Sequence, residues 1–171
     1  MRHALDRLYD AAAWLAAACL IGVLVMVLLS IVSRQLHFHV PGTDAYAGYL
    51  MAGAGFLALA HTLKRNEHIR VTLLLQALHG RARRAIELWS LSVAALLSAA
   101  FAFYSVKLAW QSRLFNDVST GNDATPLWIP QLAMAVGTIV LAIAFLDELT
   151  MEWQGRRTAP ASGDGEALHN E

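Results

Sequence analysis

The sequence has little charge and a single cysteine. Lys, Arg, Asp and Glu make up 15% of its 171 residues, and 57% of the residues are hydrophobic; a soluble domain has about 25% charged residues. As the only cysteine, Cys19 excludes an internal disulfide and a cluster held by several cysteines. The sequence also lacks a nucleophile elbow, a glycine-rich phosphate loop and a metalloprotease helix motif. We therefore expect neither an enzyme nor a bound cofactor or metal.

Charge is absent from four stretches of the chain. No Asp, Glu, Lys or Arg occurs at positions 11–33, 45–63, 88–106 and 124–146, which hold 23, 19, 19 and 23 residues. A helix rises about 1.5 Å per residue and needs roughly 20 residues to cross about 30 Å of hydrocarbon. The sequence therefore predicts an all-α integral membrane protein with four transmembrane helices, at about 11–33, 45–63, 88–106 and 126–149.

The segment between the second and third spans is too short to cross a bilayer, yet it is amphipathic. Val71, Leu74, Leu75 and Leu78 recur at helical spacing with polar residues between them, which favours a short helix lying in the membrane interface. Positions 1–154 are thus expected to form one four-helix transmembrane domain. Positions 155–171 contain too few apolar residues to fold and are expected to form a mobile cytoplasmic tail.

The basic residues predict the topology. The amino end, the connection from Lys64 to Arg84 and the carboxyl tail hold two, six and two Lys or Arg residues, whereas the other two connections hold one and two. Lys and Arg concentrate in the cytoplasmic loops of membrane proteins. We therefore expect both termini in the cytoplasm, in a bacterial inner membrane.

Two spans carry stripes of small residues, which allow helices to approach closely in lipid. Packing within this chain's own bundle and packing against a partner explain the first stripe equally well. The stripes are candidate partner interfaces: Ala45, Gly48, Ala52 and Gly55 in the second span, and Ser90, Ala94, Ser98 and Ala102, at steps of four, in the third.

The spans offer little chemistry for moving an ion or a solute. His61 is the only titratable side chain inside an uncharged stretch, and a position at the membrane interface or helix end explains it best. Ion-coupled carriers usually keep a charged residue at depth, and a membrane cytochrome needs a second histidine on a facing helix. His37 and His39 could share a metal, but two ligands alone form a weak site, and a surface loop is the simpler interpretation.

Two further features concern the ends of the spans. Arg34 and Asp44 form either an ion pair or two solvated charges, which would contribute little. Thr125 is predicted to cap the last helix, with Pro126 as its first residue. Pro130 is expected to loosen the opening turn, because its ring would clash with the carbonyl of Pro126.

In order and spacing, several of these elements resemble the small membrane subunit, often called DctQ-like, of tripartite ATP-independent periplasmic transporters. The resemblance covers positions 10 to 153. It rests on Arg34 after the first span, Asp44 before a glycine- and alanine-rich second span, a basic His-Ile-x-Val element, and a Thr-Pro-x-x-x-Pro opening of the last span. The residues of the last two elements are Arg65, His68, Ile69 and Val71, then Thr125, Pro126 and Pro130.

The resemblance implies an accessory subunit rather than a self-sufficient transporter. In such systems a periplasmic solute-binding protein captures the solute, often an organic acid, and a large polytopic subunit moves it, usually by symport with sodium. The small subunit is expected to brace the large one within the lipid and to help dock the binding protein, with no role for nucleic acid. Two alternatives remain: a structural or regulatory four-span protein unrelated to transport, and a small homo-oligomeric channel.

Overall fold

The structure is a computed structural model that describes residues 2–38, 40–64, 81–121 and 123–154. Within these ranges the chain forms four α-helices: α1 Arg2–Gln35, α2 Thr43–Lys64, α3 Arg81–Leu114 and α4 Trp128–Trp153. The predicted all-α class is confirmed for the described residues. The predicted interfacial helix lies outside them, apart from residues 81 and 82, which belong to α3, and so does the predicted tail.

The helices α1, α2 and α3 each cover one uncharged stretch and extend beyond it, whereas α4 begins four residues into the fourth stretch and extends past its end. Three segments are long and apolar enough to cross a membrane: Leu5–Gln35, Arg84–Leu114 and Trp128–Trp153. The segment α2 is not among them. Its 22 residues include three glycines and two tyrosines, which lower the hydropathy without adding charge. The second predicted span therefore remains a prediction.

The helices run alternately up and down and pack in the order α1, α2, α4, α3. Extensive contacts join α1 to α2, α2 to α4, and α4 to α3, with a smaller contact between α1 and α4. One end of the bundle, the loop end, holds the connections 36–42 and 115–127. The other end, the charged end, holds Asp6, Tyr9, Asp10, His61, Lys64 and Asp147. Because α2 and α4 are the inner pair, the joint between them holds the two halves of the bundle together.

Small side chains fill the contact between α3 and α4. The buried residues of α3 follow alternating steps of four and three, as in a coiled-coil seam; they are Leu91, Ala95, Ser98, Ala102, Ser105, Ala109 and Ser112. The predicted stripe at strict steps of four is only partly this seam. Each step of four advances about 40° beyond a full turn, so Ser98 and Ala102 are buried, whereas Ala94 is half-buried and Ser90 is exposed.

The helices α2 and α4 approach each other closely at Gly137. A Cβ atom placed on Gly137 would lie 2.6 Å from both the backbone carbonyl carbon and oxygen of Phe56. Backbone atoms cannot move aside as the end of a flexible side chain can, so this position requires glycine. Toward the charged end the same joint is packed by Ala60, Leu63, Val140 and Ala144.

Gly137→Ala is therefore expected to force α2 and α4 apart and to lower the free energy of unfolding by about 1–3 kcal/mol, the usual cost of overpacking. Thermal or denaturant unfolding of the purified chain in detergent measures the change. Gly48→Ala is the matched control, because a Cβ atom at Gly48 would meet nothing within 4 Å, and the better helix propensity of alanine should leave stability unchanged or slightly raised. Equal stability of the two variants would contradict the tight joint.

Candidate functional site

An ion pair joins the inner helices at the charged end. Lys64 Nζ in α2 lies 2.5 Å from Asp147 Oδ2 in α4, and the two side chains are only 28% and 17% exposed. The same ammonium group lies 5.2 Å from the centre of the Tyr9 ring in α1, within the range of a cation–π contact. One lysine therefore links three helices.

Sequence reasoning missed this pair, although a signal for it existed. Lys64 ends the second uncharged stretch and Asp147 ends the fourth. Parallel neighbouring helices bring these ends together, and opposite charges at matching ends favour contact. Glu148 and Glu152, also in the last turns of α4, are buried. The end of α4 therefore carries buried acidic residues that sequence reasoning did not single out.

His61 lies beside the ion pair at the same end. Its Nδ1 atom is 3.8 Å from Asp10 Oδ1 in α1, a position near the helix ends, in agreement with the interfacial interpretation. A cavity of about 230 Å³ lies here, lined by Asp6, Tyr9, Asp10, His61 and Lys64. Tyr9 is 1% exposed, and its hydroxyl is buried without a hydrogen-bond partner in the described part of the chain.

At the loop end, the predicted Arg34–Asp44 pair forms but is exposed. The closest nitrogen and oxygen atoms are 3.7 Å apart, and the side chains are 75% and 81% exposed. Ser30 Oγ donates a long hydrogen bond of 3.4 Å to Asp44. A pair as exposed as this adds little to stability. Its effect is to place one positive and one negative charge at the surface of the loop end. It borders a cavity of about 430 Å³ that also includes His37, Phe38 and Gly121.

Asp123 holds the two loop-end connections together. Its carboxylate accepts hydrogen bonds from Tyr49 Oη in α2, at 3.1 Å, and from Ser119 Oγ, at 2.8 Å. Gly42 adopts a positive φ of 82°, and a Cβ atom there would lie 2.8 Å from Asp123 Cβ, so glycine is required on both grounds. The connection at 36–42 is therefore fitted directly against that at 115–127.

The hydrogen bonds at Asp123 favour its ionised form. Desolvation raises the pKa of its carboxyl, but the hydrogen bonds from Ser119, its own backbone N–H and Tyr49 together outweigh desolvation. The pKa of Asp123 therefore lies below its usual value of 3.8. Sequence reasoning did not single out this aspartate, because the fold is needed to bring Tyr49, 74 residues away, to its carboxylate.

The predicted start of the last helix is wrong. The helix α4 begins at Trp128, its N-cap is Leu127, and no side chain caps it. Thr125 Oγ1 donates instead to Tyr46 Oη at 3.0 Å, and Pro126 pairs with Val118 in an isolated β-bridge. Pro130 falls in the first turn, where a missing N–H costs little. The Pro126 carbonyl accepts from Ile129 N at 3.2 Å, a tightened turn of the 3₁₀ type.

The stripe of the second span faces away from the rest of the chain. Gly48, Ala52 and Gly55 are exposed and Ala45 is half-buried, and a Cβ atom at either glycine would meet nothing within 4 Å. The buried residues of α2 lie on the opposite side: Thr43, Gly53, Ala54, Leu57, Ala60 and Leu63. Packing among the described helices therefore leaves Gly48, Ala52 and Gly55 uncovered.

Other predicted residues fall elsewhere. Arg65, His68, Ile69 and Val71 lie outside the described residues, as does His39. His37 has a positive φ of 55° in the connection after α1. No group of three or more His, Cys, Asp or Glu side chains suited to a metal ion occurs within the described ranges.

Long apolar helices, with their charges near the ends, define a helical membrane protein. The family model of the DctQ component of tripartite ATP-independent periplasmic transporters matches residues 23–155. The chain therefore belongs to this family and is a small membrane component of such a transporter, as the resemblance predicted. No curated protein matches the chain.

Removing one member of the Lys64–Asp147 pair should leave the other charge poorly compensated. Lys64→Met is expected to lower the free energy of unfolding by about 3 kcal/mol, and Asp147→Asn by a similar amount. A double-mutant cycle measured by unfolding in detergent should show that the double variant loses less than the sum. Arg34→Met, at the exposed pair, should cost less than about 1 kcal/mol. Additive losses at Lys64 and Asp147 would exclude coupling.

Asp123 should make stability depend on pH at the loop end. Because folding lowers its pKa, the ionised carboxylate stabilises the fold above about pH 4, and this contribution is lost as pH falls through the folded-state pKa. Unfolding midpoints of the wild type and Asp123→Asn, compared between about pH 6 and pH 3, should therefore converge at the acidic end. Asp117→Asn, an exposed carboxylate of the same connection, is the control. A gap independent of pH would contradict the role of the ionised form.

Proposed function

We propose that this chain is an accessory subunit that braces the large transport subunit of a binding-protein-dependent carrier and helps to dock the periplasmic binding protein. The single observation that carries the proposal is the open face of α2. The chain itself would move no solute. Organic acid uptake by ion symport is the transport that we expect the complex to perform.

The open face of α2 suits a helix of a partner. Gly48, Ala52 and Gly55 present almost no side chain, and Met51 beside them is 67% exposed. In lipid, helices associate through close packing rather than through the hydrophobic effect, and small residues permit the closest approach. Because α1 and α4 occupy the other sides of α2 and no described residue covers the stripe, we assign it to another chain.

The bundle is built to resist deformation, which supports a bracing role. The Lys64–Asp147 pair joins the inner helices at one end, and the Tyr49–Asp123 bond joins the same halves at the other. Between them, Gly137 sets the spacing of α2 and α4. A partner packed on α2 would thus contact a helix whose position relative to α4 is fixed at both ends and in the middle.

Charge placement supports leaving the transport step to the large subunit. In the described helices the acidic and basic side chains lie toward the helix ends, and none lies in positions 11–33, 45–63, 88–106 or 124–146. Ion-coupled carriers place charged residues at depth. We therefore assign solute and ion binding to the partner.

The proposed orientation places four spans, including α2, in a bacterial inner membrane with both termini in the cytoplasm. The amino end, the segment 64–84 and the carboxyl tail together hold ten Lys or Arg residues, against three in the other two connections, and this excess supports the orientation. The loop end then faces the periplasm, and its bonded connections, with Arg34 and Asp44 exposed, supply a preformed surface for the binding protein. The interfacial helix expected before α3, from position 71 to 80, would lie on the cytoplasmic side.

Ala52→Leu, or Gly48→Leu, is expected to release the large subunit while the chain still inserts, because the added side chain occupies the space that a partner helix needs. Pull-down of the tagged chain from native membranes in a mild detergent, with mass spectrometry of the bound proteins, measures this. Ala100→Leu is the matched control, because Ala100 is also exposed but lies on α3.

Two outcomes would count against the proposal. Retention of the large subunit by Ala52→Leu would remove the α2 face from the interface. Recovery of the wild-type chain alone, as a defined homo-oligomer, would favour the small channel instead.

A further inference from the structure

The cavity at the charged end combines both signs of charge in a small space. It has a volume of about 230 Å³ and is lined by Asp6, Tyr9, Asp10, His61 and Lys64. Lys64 donates one of its three N–H groups to Asp147, which leaves the other donors for a ligand. His61 Nδ1 lies 3.8 Å from Asp10, beyond the length of a good hydrogen bond. The α1 wall of the cavity is therefore acidic and the α2 wall basic.

Tyr9 gives an independent indication that the site is incomplete. Its side chain forms part of the cavity wall and is 1% exposed, yet its hydroxyl has no hydrogen-bond partner in the described part of the chain. Burying a hydroxyl without a partner is unfavourable. The ammonium group of Lys64 already lies over the face of the Tyr9 ring.

The position of the cavity indicates the source of a ligand. Asp6 and Asp10 lie at the start of the apolar segment Leu5–Gln35, and His61 and Lys64 lie at the end of α2. In a bilayer the ends of spanning helices lie at the level of the lipid headgroups. A headgroup that carries both an ammonium and a phosphate matches the two walls.

We propose that this cavity binds the zwitterionic headgroup of a lipid with a primary ammonium, such as phosphatidylethanolamine. The ammonium group lies against Asp6 and Asp10, where its three N–H donors meet carboxylate oxygens. The phosphate faces His61 and Lys64. The Tyr9 hydroxyl gains a polar partner when the headgroup is present.

The test uses the full chain, reconstituted in vesicles that contain equal amounts of phosphatidylethanolamine, phosphatidylcholine and phosphatidylglycerol. Native mass spectrometry after mild detergent release then measures which lipid the chain retains. The quaternary ammonium of phosphatidylcholine has no N–H, and phosphatidylglycerol has no ammonium. We expect phosphatidylethanolamine to be retained about tenfold over either, the ratio that one charge-assisted hydrogen bond produces.

The variants localise the effect. Asp6→Asn with Asp10→Asn should abolish the preference, whereas Asp117→Asn, an exposed carboxylate at the loop end, should keep it. Tyr9→Phe should keep or raise the melting temperature of the delipidated chain but reduce the rise caused by adding phosphatidylethanolamine.

Three results would overturn the proposal: no preference among the lipids, a preference that survives in the double variant, or equal saturation of the site by soluble phosphoethanolamine. The last would identify a small soluble ligand instead of a lipid. A Tyr9→Phe variant that responds to the lipid like the wild type would also overturn the assigned role of the hydroxyl.

Discussion

The rest of this structure depends on how closely α2 and α4 can approach. In lipid no hydrophobic effect drives apolar helices together, so contact must come from fit. Gly137 allows the backbone of Phe56 to lie against α4, with a separation that a single methyl group would prevent. Once this spacing is set, Lys64 reaches Asp147 and Tyr49 reaches Asp123.

The packing of α1 and α4 leaves one side of α2 uncovered by the described helices. With α1 and α4 packed on α2, the third side of α2 carries Gly48, Ala52 and Gly55, which are exposed among the described residues. Two kinds of glycine thus occur in the bundle. Gly137 is needed by the fold, whereas a Cβ atom at Gly48 or Gly55 would meet nothing within 4 Å in the described part of the chain.

Composition and charge spacing predict much of the fold, because a helix that crosses lipid must satisfy its own backbone and exclude charge over its length. All four helices appear where uncharged stretches predict them, and the family follows from local motifs. Features that depend on partners remote in sequence were not predictable. Asp123 and Asp147 lie on either side of the fourth uncharged stretch, but only the packing order shows which residues they contact. Thr125 has the pattern of a helix cap, yet the nearby Tyr46 hydroxyl takes its hydrogen bond.

The polar contacts have a distribution that bears on how the protein assembles. Neighbours in sequence form two antiparallel hairpins, α1 with α2 and α3 with α4. The bonds of Tyr49 with Asp123, Tyr46 with Thr125 and Lys64 with Asp147 all run from one hairpin to the other. Each hairpin can therefore complete its apolar packing during membrane insertion before the other exists. The bonds between hairpins can form only when the two hairpins meet, and they favour the register in which donors and acceptors are paired.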